Sequence, residues 1–210
     1  MGFAYTDSYT QGLVGLLPVM ESIRAAGERV RSGAADAALF RWFGDNSPAW
    51  RTEAARRIET LRKVFNLQKI AIGFTSLKLR KQGENASAAT GAIRGINPGI
   101  VSGYNDPDGL DPITLNEAFK RLPTYLPVTG NGIVDTGGWN QSRLNTVIHE
   151  ISHLILNTAD EVAAGGPYAG LEAYGAQRAR SLATLYPLQA KNNAENWGIF
   201  IEACGRNRST

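Results

Sequence analysis

The sequence predicts an α+β domain, mainly helical with one small antiparallel sheet, and three observations carry that expectation. Apolar residues recur at helical spacing in the first third of the chain. Short β-prone runs follow between residues 67 and 100, and helical spacing returns from Ser142 onward. With 210 residues, 43% of them hydrophobic and 20% charged, the chain can bury a core of ordinary size.

Over residues 11–32, Leu13, Leu16, Leu17, Met20, Ile23 and Val30 mark one helix face. Pro18 predicts an interruption or restart there, because proline lacks a backbone donor and crowds the preceding turn. A second helix opens at Ser47-Pro48, where serine suits the cap and proline the first turn. It runs to about Phe65 with Trp50, Ala54, Ile58, Leu61 and Val64 on one face. Between the two, Phe40-Arg41-Trp42-Phe43-Gly44 reads as an aromatic wedge into the core. The run Lys69-Ile-Ala-Ile-Gly-Phe-Thr75 reads as a strand, with turns at Gly83-Glu-Asn85 and Pro98-Gly99. Residues 103–116 and 127–138 are rich in Gly, Asp, Asn and Pro, and Gly132–Thr136 is expected as a short edge strand.

Composition excludes several function classes. The 22 lysines and arginines outnumber 19 acidic residues for a net charge of +3, but they are spread from Arg24 to Arg208. Binding a nucleic acid needs them gathered on one face, so no such partner is expected. Lys78, Arg80 and Lys81 read as a solvated hairpin. The single cysteine, Cys204, rules out an internal disulfide. No apolar stretch reaches the ~18 residues of a membrane span. Met1–Tyr9 has no basic segment followed by an apolar run, so the expectation is a soluble monomer, secreted or exported by a route that leaves no signal in these residues.

The segment Asn145-Thr-Val-Ile-His-Glu-Ile-Ser-His-Leu-Ile155 is apolar in the pattern of a buried helix, yet it carries His149, Glu150 and His153, the first and last being the only histidines in the chain. Residues four apart share a helix face, so both imidazoles can meet one Zn²⁺. Glu150 is turned about a third of the way round toward the open coordination position. Zinc lowers the pKa of a bound water to about 7 and polarises a scissile carbonyl, and Glu150 is placed to take the water's proton. Burying three ionisable groups together costs several kcal/mol without a compensating ion. Two residues compete as third ligand: Asp160, seven past His153, and Glu172, nineteen past it.

The final third resembles the aspzincin metalloendopeptidases, the deuterolysin group, and in particular their peptidyl-lysine branch. In that group the zinc helix is followed by Gly-Thr-x-Asp and then Tyr-Gly. Here Thr158-Ala-Asp160 matches the first part, with Asn157 in place of Gly, and Tyr174-Gly175 matches the second. Tyr186-Pro187, Asn193-Ala-Glu-Asn196 and Trp42-Phe43-Gly44 also have counterparts. The resemblance implies a zincin-like fold in one domain over 1–210, with a helical part over about 11–65 and a catalytic part over about 67–204. It also implies His149, His153 and Asp160 as Zn²⁺ ligands, Glu150 as general base and Tyr174 as oxyanion donor.

Two departures stand out. The family places its Tyr three residues after Asp, whereas here residues 161–173 intervene, 13 in all, which leaves Tyr168 and Glu172 as substitutes. In the lysine-specific branch two acids resemble a substrate pocket. Glu195 keeps the first, and Gly198 stands at the second, so the preference for lysine is expected to be relaxed or changed. The expected function is a zinc-dependent endopeptidase acting on protein or peptide, with substrate along the 132–136 strand. The alternatives are an effector protease with one specific protein target and a zinc-binding module that has lost catalysis.

Overall fold

Helix α1 (Leu16–Ser32) buries Val19, Ile23, Ala26 and Val30, the i, i+4, i+7, i+11 stripe of an amphipathic helix. Pro18 does not break it. It occupies the first turn, where its missing N–H has no helical partner to lose. In this computed structural model residues 4–5, 16–66, 71–74, 88–90, 113–115, 119, 121–129, 132–133 and 141–206 are described. Leu13, Lys78–Lys81, the two expected turns and residues 134–136 therefore lie outside the described residues.

The aromatic run belongs to a helix the sequence reading did not anticipate, α2 (Asp36–Phe43). Trp42 and Phe43 are buried as expected, but Phe40 is 61% exposed on the opposite face. Gly44 ends this helix with φ +67°, and a Cβ there would meet the Ala183 carbonyl oxygen at 2.1 Å. Helix α3 (Pro48–Asn66) starts as its sequence predicts, with Ser47 Oγ accepting the Trp50 N–H at 3.2 Å.

The strands are short: β1 (Ala4–Tyr5), β2 (Ala71–Phe74), β3 (Ala88–Thr90) and β4 (Ile113–Leu115). They pair in the order β1-β2-β4-β3, parallel at β1/β2 and β2/β4 and antiparallel only at β3/β4. This sheet is thus mixed, in contrast to the antiparallel one expected. A separate antiparallel pair joins β5 (Val128–Thr129) to β6 (Gly132–Ile133), the start of the expected edge strand.

Among the described residues four further α-helices follow: α4 (Arg143–Leu156), α5 (Ala176–Leu185), α6 (Pro187–Asn192) and α7 (Ala194–Gly205). Every residue of α7 from Ala194 to Cys204 is buried, so α7 is the central post of the fold. α4 and α1 pack directly on it. Phe43 links α2 to the post through Trp197 at 4.8 Å and Phe200 at 5.2 Å between ring centroids, and to α3 through Trp50 at 5.3 Å. No described helix is long and apolar enough to cross a membrane.

Candidate metal centre

α4 is built by local signals at both ends. Ser142 Oγ accepts the Asn145 N–H at 2.9 Å and caps the start. At the other end Asn157 takes φ +53°, the left-handed conformation that asparagine tolerates better than other side chains apart from glycine. The replacement of Gly by Asn at this point in the resembling motif therefore preserves the turn. The turn sends the chain back under the helix, where Thr158 Oγ1 meets Ser152 Oγ at 2.8 Å and the Thr158 carbonyl accepts from His153 Nδ1 at 2.8 Å.

That carbonyl decides the chemistry of His153. A carbonyl only accepts, so Nδ1 carries the hydrogen and Nε2 presents a lone pair. His149 is held likewise, its Nδ1 3.2 Å from Glu195 Oε2. The two Nε2 atoms lie 3.1 Å apart, and Asp160 Oδ1 sits 3.2 Å from one and 3.3 Å from the other. Asp160 Oδ1 is buried and accepts no hydrogen bond. Three lone pairs thus converge, an arrangement that repels unless a cation occupies the centre. Ligand atoms about 2.0–2.1 Å from a tetrahedral zinc lie about 3.3 Å from one another, which is the spacing found here. Two imidazoles and a carboxylate suit zinc and leave a fourth position open.

Burial lowers the His149 pKa, but the close Asp160 and Glu195 carboxylates outweigh it and raise it well above the ordinary value. Burial likewise opposes ionisation of Asp160, yet His149 and His153 hold its carboxyl far below the usual range.

Asp160, not Glu172, reaches the histidines. Its loop is clamped to the start of α7: the Ala159 N–H donates to the Asn192 carbonyl at 2.8 Å, the Ala194 N–H to the Ala159 carbonyl at 3.0 Å, and the Glu161 N–H to Asn193 Oδ1 at 3.0 Å. Glu172 is exposed and pairs through its backbone with Val162. The intervening segment folds on itself, with the Ala173 N–H donating to the Glu161 carbonyl at 2.9 Å and the Gly170 N–H to the Ala163 carbonyl at 2.9 Å. This closure cancels the 13-residue separation and returns Tyr174 to the site, its ring stacked on His149 at 5.6 Å and 25°. Burial, then the charge of Asp160 and a hydrogen bond to it, raises the Tyr174 pKa well above the usual phenol range, so the hydroxyl keeps its hydrogen. Tyr168 lies on a short 3₁₀ turn (Gly166–Tyr168) under the Arg178 guanidinium.

Glu195, the expected pocket acid, lies inside the fold. It is 1% exposed, with Oε2 toward His149 Nδ1 and Oε1 accepting the Gly175 N–H at 3.0 Å. Its neighbour Gly198 is where α7 touches α4: a Cβ there would lie 2.9 Å from Asn145 Oδ1 and 3.0 Å from the Asn145 carbonyl oxygen. A second acid at that position has no room. Glu150, the expected base, is buried on α4 beside His149. The sequence reading missed the Thr158 carbonyl, since a backbone acceptor leaves no pattern in a single sequence, and it marked Asn193 only as part of a motif, not as a clamp on the Asp160 loop.

No family model matches the sequence, and no curated protein does either. Among solved structures the chain is similar to a zinc peptidase from Grifola frondosa, at 20% sequence identity and a TM-score of 0.61, over 93% of this chain and 96% of that one. The mainly helical architecture around the paired histidines is therefore a fold shared with a zinc peptidase.

Proposed function

We propose that this chain is a zinc-dependent endopeptidase of aspzincin type, with His149, His153 and Asp160 as ligands and Glu150 as general base. The observation that carries the reading is the convergence of three lone pairs at 3.1, 3.2 and 3.3 Å, with both Nδ1 atoms committed elsewhere. The fold shared with a zinc peptidase agrees with it.

Zinc, when bound, polarises a substrate carbonyl and makes water a nucleophile near neutral pH. The rest falls to the chain's own residues. Glu150 follows His149 directly on α4, turned by about 100° from it, and its carboxylate takes the proton of the attacking water and passes it to the leaving amine. Tyr174 donates its phenol hydrogen to the substrate oxygen as negative charge grows there. Glu195 and the Thr158 carbonyl hold the Nδ1 atoms of His149 and His153, which leaves each Nε2 directed at Asp160 and the open centre.

Glu150→Gln tests the assignment. The variant should bind one zinc per chain by elemental analysis yet lose about 10²–10⁴-fold in kcat on an unstructured protein such as casein. Undiminished cleavage would remove Glu150 from the mechanism. Absence of stoichiometric zinc from the unmodified protein would sink the metal reading itself.

A further inference from the structure

Glu195 is a fully buried acid whose two oxygens serve two different elements. Oε2 meets His149 Nδ1 on α4 at 3.2 Å, and Oε1 accepts the N–H of Gly175, the residue after Tyr174, at 3.0 Å. The adjacent asparagines of the same turn hold the surroundings. Asn193 Oδ1 takes the Glu161 N–H beside Asp160, and Asn193 Nδ2 donates to Asn196 Oδ1 at 2.6 Å. Asn196 Nδ2 in turn donates to the Ala179 carbonyl at 2.9 Å and to that of Trp42. One turn of α7 thus touches the ligand helix, the Asp160 loop and the Tyr174 loop.

We propose that Glu195 is a positioning residue that sets the ring of His149 and the backbone after Tyr174 in register with each other, instead of a pocket acid for a substrate lysine. The inference rests on the zinc reading above for its functional weight, but the contacts themselves do not. An imidazole on a helix can rotate about χ2 and exchange tautomers, and an acceptor fixed at Nδ1 removes both freedoms and aims Nε2. Because Oε1 grips Gly175, the same carboxylate sets where the Tyr174 ring lies on His149, which is the stacking seen at 5.6 Å. A buried carboxylate is tolerated only with its oxygens satisfied, and here both are satisfied by the chain itself. With the side chain 1% exposed and both oxygens engaged inside the fold, no face of it is presented to a substrate ammonium.

The test uses full-length protein labelled with ¹⁵N, in zinc-free and zinc-loaded forms, as wild type, Glu195→Gln, Glu195→Asp and Glu195→Ala. With only two histidines in the chain, the His149 Nδ1 proton is assignable. Wild type should show it shielded from exchange, with a protected Gly175 amide. Glu195→Asp keeps the charge but shortens the arm by about 1.5 Å, so both signals should weaken as they do in Glu195→Ala. Glu195→Gln offers one acceptor oxygen and should retain one contact. Zinc affinity, measured by competition with a chromophoric chelator, should fall about 10-fold in the Gln variant and up to about 100-fold in the Ala variant. In peptide cleavage kcat should drop while KM holds.

Unchanged His149 and Gly175 signals with a zinc Kd within twofold, in variants whose circular dichroism shows a native fold, would overturn the proposal. So would an effect confined to KM for peptides with lysine after the scissile bond. If wild type binds no zinc, the function proposed above fails, whereas the two proton signals still decide the positioning role.

Discussion

His153 has one ring nitrogen against a carbonyl and the other against a second imidazole, and that environment leaves a single neutral tautomer. The same reasoning at Tyr174 separates it from Tyr168. Tyr174 stacks on the His149 ring and pairs with Asp160, while Tyr168 sits under Arg178 on a 3₁₀ turn. Tyr174→Phe should therefore lower kcat/KM by about 10²-fold with zinc stoichiometry intact, and Tyr168→Phe should stay within about twofold. Steady-state cleavage of one peptide by both variants decides between them. Equal losses would mean that the stacking geometry does not mark the donor.

Among elements, the contact between α4 and α7 carries the site, because it sets the histidines against Glu195. The helices approach at Gly198, whose absent side chain admits Asn145. Gly198→Ala should destabilise the protein by about 1–3 kcal/mol through overpacking, read as a lower denaturant midpoint at unchanged m. Gly198→Glu, which restores the acid of the resembling motif, should be more damaging and bring no gain for substrates with lysine. A lysine preference appearing in a stable Gly198→Glu variant would show that the helices can part there. The folded-back loop after Asp160 is the other decisive element, since its Glu161–Ala173 closure brings distant residues to one metal position.

Over the whole molecule, Glu202 joins two remote parts to the end of α7. It accepts the Leu126 N–H at 2.6 Å, the hydroxyl of the α4 cap Ser142, and the Arg206 guanidinium at 2.8 Å. Burial pushes its carboxyl up from 4.5 to about 7 against those donors. With the folded pKa above the unfolded one, the native state keeps a proton that the unfolded chain releases. This contribution to stability is complete below about pH 4.5 and is lost as pH rises through 7, on the order of 3 kcal/mol in all. Glu202→Gln should flatten that decline, measured as unfolding free energy at pH 4.5 and 8. An identical pH slope in the variant would show that Glu202 is ionised throughout.

Most of the helical fold and the heart of the site were legible in the sequence because the signals are local. The stripe of α1, the Ser47-Pro48 start of α3 and the His149, Glu150, His153 face of α4 depend on spacing along one stretch of backbone, which the order of residues determines by itself. Helix α2 and the parallel pairing of β1, β2 and β4 were not legible, since neither short helices nor strand partners leave a strong local period. The sequence admitted Asp160 or Glu172 and Tyr174 or Tyr168, and expected Glu195 in a substrate pocket. Only the tertiary structure sets Asp160 and Tyr174 beside the histidines and turns Glu195 inward, because each placement depends on which segments, far apart in the chain, the buried turn of α7 draws together.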